Sequence, residues 1–365
     1  MTTVQIRPEA DPDTRDAPVD EPRRVLRSRS PEDRAELVGS AVAGFALVWL
    51  AYQRLLPTSG LLGFLVCWYA AFLLVYVLVT LQRHGVVEVA DRVAGVAVRT
   101  GAAMVGTTLV FVVGYTVARG LEAMSHSNFY TQELTYSDPT DLGQGGVLHA
   151  IIGTLEQLAI AIVITLPLAV ATAVFMTEVG GRLARVVRTL VEAMTGLPSI
   201  VAGLFIYVAV IQLAGVPRSG FAAALALSVM MLPIITRSAD VVLRLVPNGL
   251  REASLALGSS RWQTIWRVVL PTARPGLATA LILGVARGAG ETSPVLLTAG
   301  YSQFVNANPF DDWQTSLPLF VYQTFKLPAE AMAKRAFGAA TVLLIIVLAL
   351  FITARLVART RRGGR

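Results

Sequence analysis

Eight predominantly apolar stretches, each near the length a helix needs to cross a bilayer, constrain this chain more than any other feature. They run Leu37–Leu56, Gly60–Leu81, Gly101–Ala118, Leu148–Met176, Pro198–Ala214, Gly220–Ile235, Leu277–Thr298 and Phe337–Val357. About 20 such residues cross the hydrocarbon layer as a helix. A closed barrel would instead show alternation in segments of about 10 residues. Hydrophobic residues make up 54% of the chain, charged ones 15%, and mean hydropathy is +0.61. A soluble domain of this length needs far more polar surface. The expected fold is therefore all-α, a polytopic helical membrane protein of about eight spans.

The 31 basic against 24 acidic residues read as topology, with no nucleic-acid partner implied. Arg83, Arg92 and Arg99 share one connection, and Arg182, Arg185 and Arg188 another. Arg237, Arg244, Arg251, Arg261, Arg267 and Arg274 crowd a third, and Arg355, Arg359, Arg361, Arg362 and Arg365 the C-terminus. Alternate connections are poor in basic residues, so the crowded side is expected to be cytoplasmic, with both termini on it. Residues 1–35, rich in Asp, Glu, Pro and Arg and without an apolar run, read as a disordered cytoplasmic tail. A tight turn around Pro57–Gly60 then makes residues 36–82 a transmembrane hairpin. The basic face of Arg182, Arg185 and Arg188 is expected on anionic lipid headgroups. Cys67, the one cysteine, excludes an intrachain disulfide or a thiolate metal centre, and His84, His126 and His149 are scattered among separate connections.

Two polar insertions carry the function. The first is Glu252–Pro271, EASLALGSSRWQTIWRVVLP, set in a basic connection. Pro247-Asn248-Gly249 is turn chemistry, with Asn248 a candidate N-cap for a helix through Leu257. Gly258 suits a left-handed C′ position, and Ser259 or Ser260 can cap a second short helix in which Trp262 and Trp266 share a face. An ordinary interfacial amphipathic helix explains the Trp pair. It does not call for Glu252, Ala253, Gly258, Leu270 and Pro271 at these spacings. The second insertion is Arg287 with Glu291 and Thr292, in ARGAGETSP inside an apolar span. An intramembrane charge costs roughly 2.5–3.5 kcal/mol on insertion scales and usually lines a pathway or pairs internally. A guanidinium fork matches tetrahedral oxyanions bidentately. A structural ion pair fixing helix register is the competing account.

Four segments resemble one family. Glu252–Pro271 resembles the EAA loop of bacterial ABC importer permeases, which docks on a cytoplasmic ATPase; Ser254 stands where that family more often has a second Ala. Arg287–Pro294 resembles the R-x-x-GET-x-P stretch of phosphate-importer permeases, and Gly196–Phe205 their G-x-PSIVAGLF segment. Leu317–Tyr322, LPLFVY, is similar to the LPL-x-IY of the PstA-type subunit. The resemblance covers most of the chain from about Gly101 and implies a type I ABC importer permease fold with a six-span core. A permease domain at 100–359 is then expected, with its docking loop at 240–271 and the hairpin at 36–82 an addition. The resemblance further implies a PstC-type second permease, a cytoplasmic ABC ATPase dimer that uses ATP and Mg, and an extracytoplasmic phosphate-binding protein.

Neither Lys326 nor Lys334 completes GxxxxGK[ST], so the chain carries no P-loop. No nucleophile–His–acid set stands out, and neither catalytic nor metal-ligating residues are expected. A permease for molybdate, sulfate or a polar organic solute stays open, as does an ATP-independent secondary transporter. The latter gives the Glu252–Pro271 loop no role.

Overall fold

The computed structural model describes residues 31–55 and 60–358. Most of the expected tail, all of the Pro57–Gly60 turn but Gly60, and the last arginines lie outside them. All regular structure among the described residues is helical. Among the described residues, seven helices are long and apolar enough to cross a membrane, or eight if one bent pair is a single span. The chain divides into two compact units within its third helix, at Thr108 and Leu109.

The first unit holds α1 (Pro31–Leu50), α2 (Leu61–His84) and the start of α3 (Val86–Met124). α1 begins inside the stretch assigned to the tail, because Pro31 opens a first turn carrying Glu32 and Asp33, residues suited to a helix N-terminus. α1 and α2 meet closely at Gly44, where a Cβ would lie 2.7 Å from Phe72 N. Trp68 Nε1 donates to Ala41 O at 2.9 Å. Arg92 gathers Asp33 (2.7 Å), Glu36 (2.9 Å) and Glu88 (3.2 Å), and Arg83 also reaches Glu36. These bonds correct the expectation of a loop between the second and third spans. α3 has 39 residues and begins right after Gly85, so Arg92 and Arg99 lie on a helix that continues into the span.

The second unit continues α3 from Leu109 and adds α4 (Asn128–Thr131), α5 (Leu148–Val174), α6 (Gly181–Thr195) and α7 (Ser199–Ile206). There follow α8 (Gly220–Arg244), α9 (Asn248–Ala256), α10 (Arg261–Thr264), α11 (Leu270–Ala289), α12 (Ser293–Thr298), α13 (Leu317–Thr324) and α14 (Glu330–Ala358). Its core is α5 on α8 on α11, built from small residues such as Ala161, Ala223, Ala224 and Ala289 around Met231 and Ile235. Lipid tails are as apolar as leucine, so close backbone approach through small residues is what holds such helices together. Gly288 is an instance: a Cβ there would lie 2.6 Å from Met231 Sδ.

Two expected spans are built differently. Pro198–Ala214 is one arm of a bent pair, with α6 turning by 107° into Ser199–Leu213 across Gly196-Leu197-Pro198. Leu277–Thr298 is not one helix. α11 ends at Ala289 with Gly290 as its C-cap, and α12 restarts at Ser293-Pro294. In the other direction the span reaches back to Arg261, through a π turn at Ile265–Val269. That turn loosens the hydrogen-bond ladder next to Pro271, which has no N–H to give.

Candidate functional site

The Glu252–Pro271 loop is held in shape by its own caps. α9 starts one residue earlier than expected: Pro247 is the N-cap, entering with φ −57° and ψ 135°, and its carbonyl accepts from Leu250 N at 3.2 Å. Asn248 is therefore inside the helix, where its Oδ1 accepts from Arg251 Nη1 at 3.1 Å. α9 ends as the spacing predicts. Gly258 has φ +82°, its N–H bonds Leu255 O at 2.9 Å, and Ser259 N–H bonds Ser254 O at 3.2 Å. That pair of bonds is a Schellman motif, which requires a left-handed residue at Gly258. No neighbour lies within 4 Å of a Cβ built there, so the constraint on Gly258 is conformational alone.

Ser260 then caps α10 with a complete capping box. Its Oγ accepts from Gln263 N at 3.2 Å, and its own N–H donates to Gln263 Oε1 at 3.0 Å. Trp262 and Trp266 meet edge to face at 5.6 Å, and both are exposed. Ser254 Oγ and Thr264 Oγ1 hydrogen-bond at 2.9 Å, fastening α9 to α10. Glu252, Ala253, Leu255 and Leu257 are exposed, while Leu270 and Pro271 are half-buried at the root of α11. The paired helices thus present acid, leucines and tryptophans outward.

Arg251 anchors this hairpin, a role that no local pattern marks. Its guanidinium donates to Leu243 O (2.8 Å) and Val246 O (2.5 Å) at the end of α8, and to Glu178 Oε1 (2.9 Å) after α5. Nearby, Asp240 receives Arg188 from α6 and Arg244 from its own helix, each at 3.2 Å. Glu178 and Asp240, unassigned from the sequence, are therefore the acids that tie α9 and α6 to the ends of α5 and α8. Arg188, expected on lipid headgroups, spends at least one donor on Asp240. Glu178 and Arg251 stand 73 positions apart, so only tertiary structure brings them together.

The second insertion lies at the break between α11 and α12. Arg287 and Glu291 form an ion pair across it, with the arginine side chain 51% exposed and the glutamate side chain 6%. They are not on one continuous helix face as the spacing predicts. Gly290 ends the helix, and Glu291 N–H turns back to Gly288 O at 3.1 Å. The backbone break aims the carboxylate inward while the guanidinium stays accessible. Thr292, half-buried, leads into α12. Glu291 faces α5 and the start of α13, sharing a small cavity with Thr154, Gln157 and Ser316. Glu156, on α5, accepts from Gln314 Nε2 at 2.5 Å. A half-exposed guanidinium backed by a buried carboxylate can take a tetrahedral oxyanion on its free edge while remaining oriented from behind.

Comparison with known proteins gives the family. The profile described as "Binding-protein-dependent transport system inner membrane component" matches residues 164–362. The chain is 43% identical over 258 residues to the phosphate transport system permease protein PstA 1 of Mycobacterium tuberculosis, covering 70% of this chain and 84% of that protein. It is 35% identical to the phosphate transport system permease protein PstA of Haemophilus influenzae over 66% of this chain and 83% of that one. Among solved structures, an inward-facing conformation of the MetNI methionine ABC transporter aligns with a TM-score of 0.45 and 25% identity, over 59% of this chain and 95% of that one. The chain belongs to the binding-protein-dependent transport inner-membrane components, as a PstA-type permease.

Proposed function

We propose that this chain is one of two permease subunits in an ATP-driven importer of inorganic phosphate. The observation that carries the reading is the capped α9–α10 hairpin, which exposes its acid, leucines and tryptophans while Arg251 fastens it to the ends of α5 and α8. Such a rigid, outward-facing lever is what a soluble motor needs to grip. The motor is a cytoplasmic ABC ATPase dimer, which supplies ATP and Mg chemistry that this chain does not perform. The other partners are a PstC-type permease and an extracytoplasmic phosphate-binding protein. Both termini and the hairpin face the cytoplasm, following the clustering of arginines on that side.

In this mechanism, closure of the ATPase dimer pushes on Glu252, Ala253 and the Trp pair. The push passes through α10 and the π turn into α11 without an intervening loop. α11 ends at the Arg287–Glu291 break, so movement of the hairpin and movement of the guanidinium are one motion. Phosphate released by the binding protein meets Arg287 at the face shared with the second permease. Glu291 behind it holds the guanidinium in place, and Thr292 adds a hydroxyl at the edge. The resulting site is weak by design, since each oxyanion must leave as readily as it enters.

The test is labelled phosphate uptake in cells lacking this gene, with the wild-type gene restored and excess sulfate or molybdate as competitor. Restored uptake that ignores both competitors is the expected result. Uptake blocked by sulfate or molybdate would move the substrate to another oxyanion. Absence of any phosphate phenotype, in a strain without redundant importers, would reject the assignment.

A further inference from the structure

Four polar side chains from three separate elements converge behind the Arg287–Glu291 pair. Thr154 and Gln157 come from α5, Glu291 from the α11–α12 break and Ser316 from the residue before α13. All are more than nine-tenths buried: Gln157 at 1%, Thr154 at 2%, Ser316 at 4% and Glu291 at 5% exposure. They line one cavity of about 10 Å³, with Leu158, Leu227, Gly288, Ala289, Val295 and Pro318 as its apolar lining.

Hydrogen-bond accounting in this cavity does not close. Thr154 is satisfied, donating to Ala150 O at 2.8 Å and accepting from Leu317 N at 2.7 Å. Gln157 Nε2 is satisfied as well, reaching Gln314 O and Oε1, both at 3.2 Å. Two oxygens, Gln157 Oε1 and Ser316 Oγ, are left without a hydrogen-bond partner, and a third, Glu291 Oε1, has only its ion pair with Arg287 and room for a second donor. Buried polar atoms left unbonded are costly and uncommon. Two of these are pure acceptors, and the lone hydroxyl of Ser316 can donate only once. What is missing is therefore a small donor. A space of roughly 10–15 Å³ is the least that holds one water, and a buried water typically makes about three hydrogen bonds. The cavity meets both conditions.

We propose that the cavity is a binding site for one water molecule, which bridges Glu291 to Gln157 and Ser316. The water donates to Gln157 Oε1 and Glu291 Oε1 and accepts from Ser316 Oγ–H. Glu291 is then held from two sides, by Arg287 at the break and by the water against α5 and α13. Beyond Gln157 the chain of bonds continues through Gln314 to Glu156 and to Asn306 O, at 2.5 and 3.0 Å. A carboxylate so tethered cannot swing off the guanidinium without giving up the water. Gln157 and Ser316 are thus positioning residues for Arg287.

The importance of the site rests on Arg287 lying in the translocation path, but its existence does not, so the two can fail separately. The test is a density map of the wild-type importer complex at a resolution that shows ordered water, in sodium and again with sodium replaced by choline. One peak about 2.6–3.2 Å from all three oxygens, present in both buffers, is expected. An empty cavity overturns the proposal. A peak at shorter, cation-like distances that disappears in choline also overturns it, making the site one for a monovalent cation. Ser316→Ala supplies a sign test by thermal unfolding of the complex. With a bound water the variant loses a partner and its midpoint shifts down. With an empty cavity it merely deletes an orphaned hydroxyl, and an unchanged or raised midpoint counts against the water.

Discussion

The α9–α10 hairpin and the α11–α12 break are both polar interruptions of an apolar chain, joined by one helix, and they are stabilised in opposite ways. The hairpin closes its caps locally, through Gly258, Ser260 and Gln263 within a few residues, and its acid, leucines and tryptophans point outward. The break depends on remote elements, with Glu291 buried and its surroundings drawn from α5 and the start of α13. A surface meant for a protein partner can be exposed and stiff. A charge inside a membrane must be enclosed by the rest of the fold. The contrast predicts that damage to the hairpin disturbs assembly and leaves the subunit folded, while damage to the break disturbs the fold and the passage together.

The largest expected effect lies at the break and separates those two consequences. Arg287→Gln leaves the buried Glu291 carboxylate without its ion-pair partner; a fully buried pair that loses one member costs about 3–5 kcal/mol, and the half-exposed guanidinium puts the cost here below that. Arg287→Gln/Glu291→Gln removes the stranded charge, and thermal unfolding of the complex is expected to return most of the way to wild type. Phosphate uptake is expected to stay at least tenfold down in both variants, since a neutral amide lacks the charged fork. Recovery of uptake in the double variant would make the pair structural and take Arg287 out of the path.

Next in size is the Gly258 series. Its φ of +82° with open space around the Cβ makes the penalty one of backbone conformation only. A left-handed non-glycine residue costs about 1–2 kcal/mol, with Asn favoured at such positions. Co-purification of the ATPase with Gly258 variants should therefore fall in the order Asn, Ala, Val, while the permease subunits still reach the membrane together. Equal retention of the ATPase by all three would break the link between the Schellman turn and docking.

How much of this was legible in the sequence follows the same division. Lipid forces helices to be long and apolar, so Gly60–Leu81, Leu148–Met176 and Pro198–Ala214 lie within a few residues of the observed helices or bent arm, whereas Gly101–Ala118 marks only the middle of a helix that runs Val86–Met124. Caps are local too, and Gly258 and Ser260 announced themselves by residue type and spacing. Asn248 misled because Pro247 could serve as the N-cap itself, fixing the extended entry that the cap requires. The division of Leu277–Thr298 was hidden because Gly288 and Gly290 look alike on paper. Gly288 packs against Met231, whereas Gly290 has open space and ends the helix. Arg92 looked like a loop charge because its partners Asp33 and Glu36 lie 59 and 56 residues away. Arg251 and Glu178 were illegible for the same reason. Pairings of that range depend on where the apolar helices pack, and no local pattern encodes them.

The smallest expected effect probes whether the hairpin is a single lever or two helices that share a turn. Ser254 and Thr264 are ten residues apart and joined only through their hydroxyls, with Thr264 buried and Ser254 half-buried. Ser254→Ala leaves the Thr264 hydroxyl without that partner, and a bond of this kind contributes about 0.5–1.5 kcal/mol net. Removing both hydroxyls strands nothing, so Ser254→Ala/Thr264→Val should cost less than the two single changes added together. Neighbours in one bond typically show a coupling of about 0.5–3 kcal/mol in such a cycle, and the low end is expected for two neutral hydroxyls near a surface. Thermal unfolding of the assembled complex reads the stability half of the cycle, and ATPase co-purification reads the docking half. If the hairpin is one lever, coupling appears in both. Coupling in stability with none in docking would mean that α9 alone meets the motor and that α10 belongs, in function as in its continuous backbone, to α11.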